Sequence, residues 1–221
     1  GGWDSHCTPA RKRDDTSVNA WCAQALKAAK MAGVTHPELE TAIRNAVKGQ
    51  KQNFLSSAGA FGYDNSNKAG IPALTCAAVL SLQLLGASKE SECRQGILYL
   101  ESWTCDWEKP LPRNPFYYWY YTTQVKFHAG GEIWNSWNKQ FSVQIPRNQK
   151  ILRKAGVDGR DIGYWESACP EEYCQSLVYN TTLCCLMLEV YYRYLPTYKQ
   201  PEEMQPGADT DESSDISIEV K

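Results

Sequence analysis

Cysteine and histidine are the residue types in this chain that first suggest metal or thiol chemistry. The chain holds nine cysteines and three histidines. No Cys-x-x-Cys pair occurs, and His6, His36 and His128 are scattered along the sequence. Zinc sites place their ligands at short, paired spacings. The sequence therefore predicts no metal and no other cofactor.

The cysteines divide into two groups by their surroundings. Within apolar helical patterns a free thiol acts as a small apolar side chain, as expected for Cys22, Cys76, Cys184 and Cys185. Disulfide candidates are the cysteines that flank loops, namely Cys93 and Cys105, and Cys169 and Cys174. An odd total leaves at least one thiol unpaired. The loop cysteines slightly favour an extracytoplasmic location.

Two adjacent carboxylates open the first predicted helix. Asp14, Asp15 and Thr16 precede a run of apolar residues at helical spacing that starts at Val18. Such side chains accept hydrogen bonds from the free N–H groups of a helix start, and negative charge there complements the helix dipole. On the residues alone, they are interpreted as a helix cap.

An unbroken aromatic run at residues 116–121 is the densest apolar feature of the chain. Six consecutive helical residues cover the whole circumference of a helix, so this segment has no simple solvent face. Pro115 before the run and Gly130 after it predict a helix of about four turns. Such a helix needs protein behind it and something apolar in front.

Composition excludes several classes of protein. The 221 residues carry a net charge of −2, which does not indicate a nucleic-acid partner, and no run approaches the roughly 20 apolar residues of a membrane span. Residues 202–221 hold seven acids and one base, so an acidic tail is predicted at residues 199–221, after a helical domain at residues 1–198. No nucleophile-elbow, zincin, P-loop or dinucleotide motif occurs.

Seven helical segments are predicted, and their apolar patterns alternate. Helices one, three, five and seven are apolar on most sides, while two, four and six are amphipathic. No convincing strand is found. This pattern predicts an all-α fold with an inner layer of helices covered by an outer one. Aromatic loop ends at Trp3, Phe61 and Trp165 suggest one helical hairpin per repeat.

These loops and helices resemble a known family. A Gln followed by a loop ending in Phe-Gly-Tyr or Gly-x-Trp occurs in residues 50–63 and 149–165, and the helix of residues 74–86 ends in Leu-Gln-Leu-Leu-Gly. These motifs resemble the repeats of squalene–hopene cyclases and of protein prenyltransferase β-subunits. Residues 117–131 and 188–195 are similar to bacterial prenyltransferase and squalene-oxidase-repeat proteins. The resemblance covers about residues 1–198 and implies a partial or open α/α toroid, the terpenoid-cyclase fold.

In the cyclases, an Asp-x-Asp-Asp-Thr motif supplies the acid that protonates an alkene. The resemblance implies Asp14 as that acid and Asp15 as its neighbour, but Lys12 replaces the first Asp of the motif. A nearby ammonium group favours the ionised form of Asp14, whereas a proton donor must be in the protonated form. The helix cap is therefore preferred over the acid.

The resemblance also implies that inner-helix side chains line a central cavity. Aromatic faces in such a cavity attract cations, although most rings of residues 116–121 are needed for packing. The cavity-lining and ligand-binding candidates are Trp21, Tyr117, Tyr120, Tyr121, Gln124 and Tyr179. Although Cys184 and His128 lie on inner helices, the zinc-ligand motifs of prenyltransferases are absent, and the Asn180 sequon is expected to be buried rather than glycosylated.

The expected function is therefore a cyclase-like repeat module that binds an apolar, isoprenoid-like ligand or a protein partner at its concave aromatic face. One alternative is a terpenoid cyclase that uses Asp14 as general acid. Another is a structural repeat within a larger surface protein, which would make the remainder of a longer chain its partner.

Overall fold

The computed structural model describes residues 2–5, 14–64, 69–110, 114–169 and 176–192. The helices of these residues are α1 (Thr16–Met31), α2 (Leu39–Gln52), α3 (Pro72–Leu84), α4 (Ser91–Glu101), α5 (Pro115–Ala129), α6 (Gly131–Arg147) and α7 (Leu177–Leu188), followed by a 3-10 turn, Glu189–Tyr191. The strands are β1 (Phe54–Leu55), β2 (Ala60–Phe61), β3 (Lys150–Leu152) and β4 (Ile162–Tyr164). The protein is mostly helical, as the all-α prediction requires.

Helices α3 and α5 begin and end at the residues that the sequence marks. Pro72 and Pro115 lie in their first turns, where the missing backbone N–H removes no helical hydrogen bond. Gly86 follows α3 with φ 79°, and Gly130 follows α5 with φ 68°, a region that Cβ-bearing residues disfavour. Proline and glycine therefore set the length of both helices.

The helices pack in two layers. Helices α1, α3, α5 and α7 pack side by side in that order, and α2, α4 and α6 each pack against the preceding helix of that row. Helices α2, α4 and α6 each bury one face and expose the other, whereas α3 and α5 are covered on nearly all sides. This arrangement agrees with the predicted alternation of apolar and amphipathic helices. Among the described helices, α1 and α7 stand at the two ends of the row, and both are partly exposed.

Two hydrogen bonds show that α3 and α5 run parallel in a fixed register. Cys76 Sγ donates to the Tyr118 carbonyl near the starts of the helices, and Gln83 Nε2 donates to the Val125 carbonyl near their ends. In both pairs the partners are 42 residues apart. Since successive inner helices point the same way, each intervening outer helix must return the chain.

The three predicted aromatic loop ends share one contact. The backbone N–H of each aromatic residue donates to a side-chain oxygen of the inner helix that follows it. The pairs are Trp3 to Asn19 Oδ1 (2.7 Å), Phe61 to Thr75 Oγ1 (3.0 Å) and Trp165 to Thr181 Oγ1 (3.2 Å). The spacing of these loop ends leaves a gap near Trp107, where a fourth would fall, and there the Trp107 N–H instead donates to Gln144 Oε1 of the outer helix α6. The same contact therefore recurs at three places along the described chain.

The expectation that the chain has no strand was wrong, because two of the loops form antiparallel hairpins. Strand β1 pairs with β2 between α2 and α3, and β3 pairs with β4 between α6 and α7. Strands of two or three residues are too short for an alternating apolar pattern to be recognised in the sequence. Both hairpins lie in the loops that begin with a Gln, and the Gln149 amide packs directly against Gly163 of β4.

Two further expectations need correction. The last helix was expected over residues 172–194, but α7 spans Leu177–Leu188, and residues 170–175 and 193–221, including the predicted tail, lie outside the described part of the chain. Cys93 and Cys105 are free and buried, since both are enclosed by the apolar core. Cys169 is also free, and Cys174 lies outside the described residues.

No helix among the described residues combines the length and the apolar character needed to cross a bilayer. The prediction that Asn180 is buried is confirmed, since its side chain is inaccessible to solvent.

Candidate functional site

The candidate site is built at the start of α1, where Asp15 rather than Asp14 caps the helix. Asp15 Oδ1 accepts hydrogen bonds from the backbone N–H groups of Ser17 (2.8 Å) and Val18 (3.3 Å). Thr16, the first helical residue, donates from Oγ1 to the Gly62 carbonyl at 2.7 Å. The Asp15 carboxylate is therefore committed to the helix and is poorly placed to transfer a proton.

Asp14 is buried beside the chain start. Its carboxyl packs so closely on Gly2 that a Cβ at residue 2 would lie 2.4 Å from Oδ1. Burial raises the pKa of Asp14 above its ordinary value, because removal from water disfavours the charged form. This is the direction that an acid catalyst needs. Lys12, which was expected to act in the opposite direction, lies outside the described residues.

Four of the aromatic candidates form one connected cluster. The Tyr121 ring lies 4.7 Å from the Tyr117 ring, 5.1 Å from the Tyr120 ring and 6.1 Å from the Trp21 ring, measured between centroids. The rings meet edge-on or tilted, as aromatic pairs prefer. Gln24 Nε2 adds a long hydrogen bond to the Tyr121 hydroxyl at 3.5 Å. Tyr121 therefore links α5 to α1.

Tyr179 of α7 joins this cluster through Asn114. The Asn114 Nδ2 group donates to the Tyr179 hydroxyl at 3.3 Å, while Asn114 Oδ1 accepts from the Tyr117 N–H at 3.1 Å and so caps α5. Burial raises the pKa of Tyr117, and the nearby Tyr179 and Asp15 act in the same direction. The cap residue Asp15 and the rings of α5 and α7 are thus close enough to affect one another.

Solvent exposure divides the candidate residues into a buried group and a partly exposed group. Tyr121 and Gln124 are fully buried and Tyr120 nearly so, so they pack within the protein and do not line an open cavity. Trp21 keeps 53% of its surface exposed, and Tyr117 and Tyr179 are half-buried. We call Trp21, Tyr117 and Tyr179 the aromatic platform, because these three candidates keep part of their surface exposed.

Two residues of the site were not predicted. Asn114 stands directly before Pro115, and an Asn before a Pro at a helix start is a recognisable cap signal. Gln24 sits within an ordinary helical pattern. Its contact with Tyr121 depends on the packing of α1 beside α3 and α5, which local sequence does not contain.

A concavity lies on the outer layer, away from the aromatic cluster. It has a volume of about 460 Å³ between the loop after α4 and helix α6. Its lining residues are Thr104, Cys105, Asp106, Lys139, Gln140, Val143 and Gln144. No aromatic candidate contributes to it. Within the described part of the chain, no three His, Cys, Asp or Glu side chains are grouped to hold a metal ion.

The fold is mostly helical with two layers of helices, and the aromatic cluster joins α1 to α5 and reaches α7 through Asn114. Comparison with protein-family models, with curated proteins and with solved structures gives no match for this chain.

Proposed function

We propose that this protein is a cyclase-like helical repeat module that binds an apolar, isoprenoid-like ligand on the aromatic platform. The observation that carries the proposal is the connected ring cluster, in which the buried Tyr121 supports the exposed Trp21 and the half-buried Tyr117. Aromatic rings held by a buried neighbour offer large apolar area at little cost in side-chain entropy. An apolar chain lying across them would be removed from water.

We further propose that the two layers form an open arc of an α/α toroid. Two features support this arrangement: the parallel register of α3 and α5, and the recurring contact between each aromatic loop end and the next inner helix. In such an arc we expect the platform on the concave side, because Tyr121 of α5 contacts Trp21 of α1, two helices away in the row.

The first prediction concerns Trp21. Replacing Trp21 with alanine should weaken binding of farnesol, used as a short isoprenoid probe, by about tenfold, because covering one large side chain contributes about 1.5–3 kcal/mol. Binding is measured by equilibrium dialysis with radiolabelled farnesol. Leu98→Ala is the matched control, because Leu98 is an exposed apolar residue on the outer helix α4.

If Trp21→Ala and Leu98→Ala weaken binding equally, the platform is not the ligand site. If the unmodified protein binds no farnesol, a second candidate function takes precedence, that of a structural repeat. Its supporting observation is that Tyr120, Tyr121 and Gln124 fill the inner face with the protein's own side chains.

A prediction for the cyclase alternative concerns Asp14. The raised pKa of Asp14 favours an acid, but its carboxyl contacts Gly2, and it is Asp15 whose charge affects Tyr117. Incubation with squalene is therefore expected to give no cyclised product by mass spectrometry of the lipid extract. A product that forms with the unmodified protein and disappears with Asp14→Asn would establish the cyclase instead.

A further inference from the structure

The two hairpins occupy equivalent places in the repeat but differ in their surroundings. The hairpin β1–β2 has a four-residue connection, and three of its four strand residues are buried. The hairpin β3–β4 has a nine-residue connection, and five of its six strand residues are exposed, the sixth being half-buried. Longer loops in single repeats often mark a binding face. The second hairpin therefore has a role other than filling the core.

Apolar side chains of this hairpin point into water. Leu152 and Ile162 are directly opposite each other in the ladder, so their side chains lie on the same face. Both are exposed, as is Ile151 on the other face, and Val157 near the tip of the connection is fully exposed. Exposed apolar groups that gather on one protruding element indicate an interaction surface.

The connection is nevertheless well ordered by its own hydrogen bonds. The Gly156 N–H donates to the Arg160 carbonyl at 2.9 Å, and the Gly159 N–H donates to the Gly156 carbonyl at 2.9 Å. The Lys154 N–H donates to Asp161 Oδ1 at 2.9 Å. Backbone groups paired in this way cost less to remove from water than free ones. These backbone groups of the connection are thus already paired before a partner covers them.

Charge on the hairpin is positive. Residues 150–164 hold four basic and two acidic side chains, and the two acids pair with arginines, Asp161 with Arg153 and Asp158 with Arg160. Lys150 and Lys154 form no salt bridge with a described residue. Lys154 in the connection and Lys150 at the start of β3 complement a negatively charged partner that has an apolar interior.

We propose that the β3–β4 hairpin binds the surface of a membrane that contains anionic lipids, with Val157 entering the boundary between headgroups and acyl chains. A partner protein that adds a strand is less suitable, because ladders of three residues offer few free backbone groups for pairing. Bilayers accept a convex apolar tip without a matching groove, and nearby lysines are attracted to their anionic headgroups. This inference does not depend on the aromatic platform.

Vesicle flotation with the full chain tests the proposal. Vesicles of phosphatidylcholine alone are compared with vesicles that hold phosphatidylcholine and phosphatidylglycerol in equal parts. We expect binding to the mixed vesicles, weakened about tenfold by Val157→Asp because a charged group replaces a buried apolar one. Leu98→Asp is the control, since it introduces the same charge at an exposed apolar residue away from the hairpin, and it should bind like the unmodified protein.

A double change, Lys150→Glu with Lys154→Glu, should reduce binding to the mixed vesicles to the level found with phosphatidylcholine alone. Trp21→Ala should leave vesicle binding unchanged, which separates this inference from the proposed ligand site. The proposal is overturned if the unmodified protein does not float with mixed vesicles, or if Val157→Asp and Leu98→Asp reduce binding to the same extent. A partner protein would then be the better explanation of the exposed side chains.

Discussion

Replacing Trp137 with alanine is expected to lower the free energy of unfolding by about 3–5 kcal/mol, as large-to-small changes of buried aromatic residues do. Trp137 is buried between the layers, where its ring meets Tyr118 edge-on at 6.3 Å and its Nε1 donates to Thr123 Oγ1 at 3.1 Å. Truncation would leave a cavity, and Thr123 Oγ1 would lose the hydrogen bond that it accepts from Trp137.

The measurement is urea denaturation followed by circular dichroism, with Trp21→Ala as the matched control. Trp21 is also a helical tryptophan in contact with a tyrosine, but half of its surface is exposed. Its loss should cost less than about 1 kcal/mol. Equal destabilisation by the two changes would contradict the two-layer packing, because a tryptophan at the layer interface must contribute more than one at its edge.

Raising the pH from 7 to 9 is expected to stabilise the unmodified protein relative to Lys126→Met by about 1.4 kcal/mol. Lys126 is buried, lies 4.9 Å above the Trp137 ring, and donates to the carbonyls of Glu101 (3.3 Å) and Trp103 (2.9 Å). Burial lowers the pKa of Lys126 to about 8. In the unfolded chain this lysine has its ordinary pKa, so it stays protonated between pH 7 and 9.

The direction of this effect follows from proton binding. Below pH 8 the folded state buries a charged ammonium group, and the free-energy cost of burying that charge is present in full. As the pH rises through 8, the folded state releases the proton while the unfolded state keeps it, so the free energy of unfolding increases. The increase ends near the ordinary pKa of lysine.

The comparison with Lys126→Met is needed because buried thiols oppose the trend. Burial raises the pKa of Cys76 and of Cys93 to about 12, so both cost stability once the unfolded chain begins to ionise near pH 9. They are present in both proteins, and the difference between the two unfolding curves isolates Lys126. Lys139→Met, which removes an exposed charge on α6, serves as control. Parallel curves for the unmodified protein and Lys126→Met between pH 7 and 9 would refute the prediction.

Local signals in the sequence located the helices well. Pro115 and Gly130 bound α5, and the alternation of apolar and amphipathic helices gave the two layers, because one-sided burial leaves a periodic pattern. The hairpins were missed because strands such as Phe54–Leu55 contain too few residues to show a period.

The candidate site was only partly predictable. Trp21, Tyr117, Tyr120 and Tyr121 form one ring cluster, but a helix that is aromatic all round cannot reveal which rings face solvent. Tyr121 is buried because it reaches across to α1, and Trp21 is exposed because α1 stands at one end of the row of described helices. Likewise, Asp14 and Asp15 were equivalent in the sequence, and only the hydrogen bonds to Ser17 and Val18 assign the cap to Asp15.

The most extensive contacts between helices join either consecutive helices, such as α1 and α2, or helices with one other between them, such as α5 and α7. In proteins built this way, folding can nucleate in any hairpin and spread to its neighbours, since no distant segment has to be found first. The same property lets evolution change the length of the protein by whole hairpins, because a unit whose main contacts are with the units beside it can be added or lost while most other contacts are kept.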